Sequence, residues 1–195
     1  MRIATLTTVA AIALAAAACN NNQAGNDVST DVNLAEDTAA NDVLGANATG
    51  NAAMPTDASG FANAVAASDL YEIESAKLAA DKAGSADVKS LAQHIRTDHE
   101  KSSSELKSAA GTAKISVAPK LDAEKQGLLD QLKTTARGAD FDKLYVEQQK
   151  TAHQKALDLL QGYSSGGDNE ALKGFATKAS GVVKKHLDQA NSIKL

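Results

Sequence analysis

Over residues 60–195, apolar side chains return every three or four positions in long runs. That spacing belongs to helices that bury one face. The breaks are few: Gly84-Ser85, Gly111 with the segment up to Pro119, Gly138, and Ser164-Ser165-Gly166-Gly167. Between them the spacing predicts four long helices, over about 60–83, 86–110, 140–162 and 168–192, and a shorter one over about 121–136. Ser85 stands where it would cap the second helix. The composition agrees. Aromatic residues make up 3% of the chain, Trp is absent and proline occurs twice, which suits helices and not sheets.

Each long helix would span about 35–40 Å at 1.5 Å per residue. The first and second are joined by a short break, as are the third and fourth, so each pair should be an antiparallel hairpin. The join between the second and third long helices is long and carries the short helix. Two hairpins linked by one crossover is the ferritin-like plan. The expected fold is therefore all-α, a ferritin-like four-helix bundle with a short extra helix in the crossover between helices 2 and 3. An up-down-up-down bundle with an added helix is the alternative.

The first nineteen residues read as an export signal. Met1-Arg2 is followed by a short apolar stretch, Ile3 to Ala18, too short to span a bilayer as a helix. Ala16-Ala17-Ala18-Cys19 resembles a bacterial lipobox, which would lipidate Cys19 and tether the mature chain to a membrane. Ordinary secretory cleavage, leaving Cys19 in a tail, is the alternative. Asn20 is not the Asp that retains some lipoproteins at the inner membrane, so the expectation is a periplasmic protein anchored at the outer membrane in preference to the inner one. Residues 20–59 carry six acidic and no basic residues and no sustained apolar pattern; they read as a disordered acidic linker. Its reach would be roughly 35 Å.

Net charge is -4, and this sits in the linker, since residues 60–195 hold 18 acidic and 19 basic side chains. That balance argues against nucleic-acid binding. The single Cys excludes an internal disulfide and a Cys-cluster zinc site. No Gly-rich phosphate loop follows a strand, since no strand is evident. Ser102-Ser103-Ser104 and Lys184-Lys185 read as ordinary helix surface.

All four histidines fall in the helical part: His94, His99, His153 and His186. His99 continues the stripe of Val88, Leu91 and Ile95. His186 continues that of Phe175, Ala179 and Val182. His153 aligns with Phe141, Tyr145, Gln149 and Leu160, and His94 lies off the apolar face. On the first helix, Glu72 aligns with Phe61, Val65, Ala76 and Ala79, while Glu74 aligns with Leu70 and Leu78; periodicity leaves both open. Glu72, His99 and His153 lie near the midpoints of their helices, and His186 about 7 Å past its own. Midpoints of antiparallel neighbours meet. Three imidazoles and a carboxylate from four helices suit zinc, iron, copper or manganese. Asp98, Asp142 and Tyr145 could hold the imidazoles from behind. The other reading is a structural polar network with no ion. The Glu-x-x-His pairs of dinuclear ferritin sites are missing, because Arg96, Lys150 and Val183 precede the three histidines.

The ordered set Glu72-Ile73-Glu74, Lys77-Leu78-Ala79, Leu91-Ala92-Gln93, Asp98-His99, Phe141-Asp142-x-x-Tyr145, His153 and His186-Leu187 resembles a bacterial envelope family known as domain of unknown function 4142. The resemblance covers residues 60–195. It implies a ferritin-like four-helix fold in exported proteins, often lipoproteins, and favours Glu72 over Glu74. It supplies no activity. The chain departs from the family pattern in the last helix, where Ser180-Gly181-Val182-Val183 replaces an expected proline before His186. Two functions are therefore expected: a metal-binding envelope protein with Glu72, His99, His153 and His186 as ligands, or a non-enzymatic interaction or stress-related module whose His and Asp residues hold the core.

Overall fold

The computed structural model describes residues 54–195, all-helical in their regular structure. The export signal, Cys19 and the linker up to residue 53 lie outside the described residues. The helices are α1 (Ala58–Lys82), α2 (Ala86–Thr112), α3 (Ala123–Thr134), α4 (Ala139–Gly166) and α5 (Glu170–Ser192). Among them, none is long and apolar enough to cross a membrane.

The helices start and stop for local reasons. Asp57 caps α1 by accepting from Gly60 N at 2.8 Å, so the helix starts two residues before the expected Gly60. Asp122 caps α3 and Asn169 caps α5 in the same way. The loop expected at Ser164-Ser165-Gly166-Gly167 is shorter, because α4 runs on to Gly166. The hydroxyls of Ser164 and Ser165 both donate back to Gln161 O within this last turn. Ser85 occupies the N-cap position of α2, but its side chain makes no cap bond. Its backbone N–H and that of Gly84 instead meet the carboxylate of Asp142 on α4, at 2.8 and 3.0 Å.

Both hairpins form. α1 packs on α2 and α4 on α5; α2 also packs on α5 and α1 on α4. The four long helices thus form a ring in the order α1, α2, α5, α4. At one end Gly138, just before α4, donates to Lys82 O at the end of α1 (3.0 Å). At the other end Phe61 of α1 stacks on Tyr163 of α4, with ring centroids 3.8 Å apart. α2 therefore ends at the Phe61 end, while α4 begins at the Gly138 end. The chain between them must return along the whole bundle, which rules out the up-down-up-down alternative. α3 is held against α1 by Lys82, whose ammonium takes the carbonyls of Leu132 and Lys133 at 2.8 and 2.6 Å.

The core has two apolar parts. One, toward Gly138, is built around Leu91, Ile95, Leu132, Phe141 and Tyr145. The other, toward Phe61, is built around Leu106, Leu160, Tyr163, Leu172 and Phe175. Between them lies a layer of buried polar side chains from all four long helices: Asp69, Glu72, His99, Gln149, His153 and His186.

Candidate metal centre

The three inward histidines come together. Each is at most 5% exposed. Their ring centroids form a near-equilateral triangle with sides of 5.6, 5.6 and 5.3 Å. Each supplies one ring nitrogen to a group lying within 4.8 Å of one another. His99 comes from α2, His153 from α4 and His186 from α5. Ser180-Gly181 does not disturb this, since α5 runs unbroken through it.

The hydrogen bonds settle which nitrogens face inward. His99 Nδ1 lies 2.7 Å from Asp69 Oδ1. His186 Nε2 lies 2.9 Å from Asp98 Oδ2. His153 Nδ1 lies 2.9 Å from Gln149 O. Ionised carboxylates and carbonyls only accept, so each of these nitrogens donates. In the neutral ring the other nitrogen then carries a lone pair. His99 Nε2 is buried with no hydrogen-bond partner among the described residues. His153 Nε2 and His186 Nδ1 are 3.3 Å apart. The three rings thus bring potential donor nitrogens within 4.8 Å of one another. Two nitrogens bound to one zinc at about 2.1 Å and a tetrahedral angle would be about 3.4 Å apart, close to the His153–His186 separation.

The electrostatics follow from burial and neighbours. Burial drives the His153 imidazole well below its ordinary range, and the rings of His99 and His186 add to this. Burial also lowers His186, with His99 adding and Asp98 opposing. Burial alone would lower His99 too, but the Asp69 carboxylate, reinforced by Glu72 and Asp98, outweighs it and the net direction is up. Of the three rings, His99 therefore holds a proton most firmly.

The carboxylates divide differently from the expectation. Glu72 is 1% exposed, whereas Glu74 is at the surface, paired with Lys77 at 2.7 Å; the inward residue is Glu72. Yet Glu72 does not join the converging nitrogens. Its Oε1 is 3.7 Å from His153 Nδ1, the nitrogen that faces away from the cluster. It sits nearly a turn along α1 from Asp69, which is level with His99. Burial raises the Glu72 carboxyl to about 7, against a pull downward from His99. Its Oε2 has no partner among the described residues.

Of the three residues expected behind the imidazoles, Asp98 takes that place on His186. Asp142 does not: it is committed to the backbone N–H groups of Gly84 and Ser85 at the far end of the bundle. Tyr145 hydrogen-bonds no imidazole; its hydroxyl is buried without a partner among the described residues. His94 is exposed and pairs with Gln189 Oε1 at 3.1 Å.

The residue missed by the periodicity is Asp69, 2% exposed. It holds His99 on one oxygen and accepts from Ser103 Oγ on the other, at 3.2 Å. Its signal is its place: it stands four after Val65 and three before Glu72, on the stripe that forms the core face. Gln149 and Ser75 complete the layer through a 3.2 Å bond.

Nothing among curated proteins or solved structures matches the chain. The family described as domain of unknown function (DUF4142) matches residues 44–193. Those residues make up most of the 195, and the chain belongs to the DUF4142 family.

Proposed function

We propose that this protein binds a transition-metal ion at the cell envelope, through His99, His153 and His186. The observation that carries this reading is the grouping of the three inner nitrogens. Outward bonds to Asp69, Asp98 and Gln149 would serve a structural network equally well. Three buried imidazole nitrogens grouped together need a shared electron-pair acceptor, and a single cation serves all three at once. Carboxylates and a backbone carbonyl behind the rings are the usual orienting partners of metal-bound histidines. Three nitrogen donors suit zinc, copper or iron; manganese, which prefers oxygen, would need Glu72 to swing in.

The bundle supports the ferritin-like reading through its two hairpins and single long crossover. It lacks the paired carboxylate–histidine motifs of a dinuclear site, so the centre is mononuclear and iron storage is not its role. The chain is exported and anchored by lipid at Cys19, with the bundle in the periplasm, in preference on the outer membrane. The sequence of residues 1–19 supports this part.

Elemental analysis of the full chain, purified from the envelope without an affinity tag that binds metal, tests the reading. About one metal per chain, lost in His99→Ala, is expected. No metal after incubation with zinc, copper and iron would leave the histidines as core residues. A Cys19→Ala variant should move from the membrane fraction to the soluble periplasm, and unchanged fractionation would sink the anchor.

A further inference from the structure

Between α1, α4 and the crossover helix α3 lies a cavity of about 330 Å³. Ala64, Ala152 and Ala156 leave room for it, and Leu128, Leu144 and Leu159 supply apolar wall. None of the three clustered histidines borders it. α3 covers it only in part, because its buried side chains, Leu129 and Leu132, both lie in the second half of the helix. The first half reaches α4 through Glu124, 2.7 Å from the ammonium of Lys155, and both side chains are 64% exposed. An exposed pair of this kind contributes little, so that end of α3 can lift without disturbing the core.

The polar lining offers acceptors. Tyr71 and Gln148 are buried, and both border the cavity. Gln148 Nε2 donates to Leu128 O at 3.3 Å and to Gln131 Oε1 at 3.1 Å, so both its protons are used. The Tyr71 hydroxyl donates to Gln148 Oε1 at 3.0 Å. Lone pairs on the tyrosine oxygen and on the amide oxygen are what this pair has left. Ser68 and Thr151 add hydroxyls that can give or take. Burial, with Glu72 adding, pushes the Tyr71 phenol up, so it stays un-ionised. The charged lining is balanced, Glu124 and Glu147 against Lys125 and Lys155.

We infer that this cavity binds an uncharged alcohol or phenol with an apolar body, its hydroxyl donating to the Tyr71–Gln148 pair. The inference stands apart from the metal reading. A hydroxyl gives a proton to the buried pair and can take one from Ser68 or Thr151. A charged ligand would leave water without an opposite charge among the buried groups to meet it. Volume sets the size. A cavity of about 150 Å³ holds benzene, so this one holds about a dozen non-hydrogen atoms.

2-Naphthol fits that size, and 2-methoxynaphthalene has the same rings with no proton to donate. Each is titrated calorimetrically into the full chain in matched detergent, so that uptake by micelles is common to every sample. The wild type should bind one 2-naphthol per chain, and 2-methoxynaphthalene about three- to tenfold more weakly, the share of one hydrogen bond. Ala64→Leu and Ala152→Leu fill the cavity from two different helices, and each should weaken 2-naphthol about tenfold or more. If one variant does not fold the other decides, and the comparison of the two probes needs only the wild type. No binding by the wild type, or equal affinity in the filled variants, overturns the site. Equal affinity for the two probes overturns the donating hydroxyl, and the ligand class with it.

Discussion

His153 Nε2 and His186 Nδ1 face each other at 3.3 Å while their opposite nitrogens donate to Gln149 O and Asp98. Both inner nitrogens are acceptors, so the pair is repulsive until a cation joins it. Metal should therefore bind the native state and not the unfolded chain. At a hundredfold excess over Kd this is worth about 2.7 kcal/mol, a rise in Tm on the order of 10 °C for a domain of this size. Thermal melts with and without zinc measure it. His186→Ala should lose the response, and a wild type indifferent to zinc, copper and iron would contradict the centre.

Asp69 and Asp142 are both buried acidic side chains with different duties, and two variants separate them. Asp69→Ala leaves His99 Nδ1 without its acceptor. Metal affinity should fall about 10–100-fold, with stability reduced by about 1–3 kcal/mol. Asp142→Ala orphans the N–H groups of Gly84 and Ser85 and should cost a similar amount of stability, with metal affinity unchanged. Calorimetric titration beside chemical denaturation reads both quantities. Equal loss of affinity in the two variants would contradict the assignment.

Glu72 makes the metal-free protein sensitive to pH. Its carboxyl titrates at about 7 when folded against an ordinary value of 4.5. Between those values the unfolded chain releases its proton while the folded chain keeps it. This group's contribution is therefore fully present below about 4.5 and is lost as pH rises through 7. Glu72→Gln carries no such proton. The stability of Glu72→Gln relative to wild type should rise from pH 4.5 to 7, read as the difference between denaturant curves at a series of pH values. A constant difference would mean that Glu72 is ionised throughout.

Gly138 has φ of +90° and ψ of -140°, a region that only glycine adopts without strain. Gly138→Ala should destabilise by about 1–3 kcal/mol. Gly181 lies inside α5 with open space where a methyl group would sit, so Gly181→Ala should stabilise by about 0.5–1 kcal/mol. Neither should alter metal binding. Denaturant midpoints measure both, and a stabilised Gly138→Ala would contradict the backbone assignment.

The helices are legible because their signals are local. The stripe of Val88, Leu91, Ile95 and His99 in α2 faces inward as its spacing implies, and the long break before Gly138 marks the crossover. Three of the four expected ligands converge for the same reason. What escapes depends on partners distant in the chain. Asp142 reads as an acid that could hold an imidazole from behind, and nothing near it indicates that it holds a loop 57 residues earlier. Asp69 reads as a charged residue on a helix, and only the approach of His99 gives it a role. Glu72 faces inward as its stripe implies, yet a shift of one turn along α1 decides whether a carboxylate meets an inner nitrogen or an outer one. Periodicity resolves the face and not that height.

The polar layer between the two apolar halves also acts as an alignment key. Aliphatic side chains tolerate sliding of one helix past another, since one leucine layer resembles the next. Imidazoles and carboxylates do not. Slipping α5 by one turn, about 5.4 Å, would carry His186 out of reach of Asp98 and break their bond. Each hairpin can thus dock on the other at a single height, and the residues that would grip an ion also set the vernier by which the bundle closes.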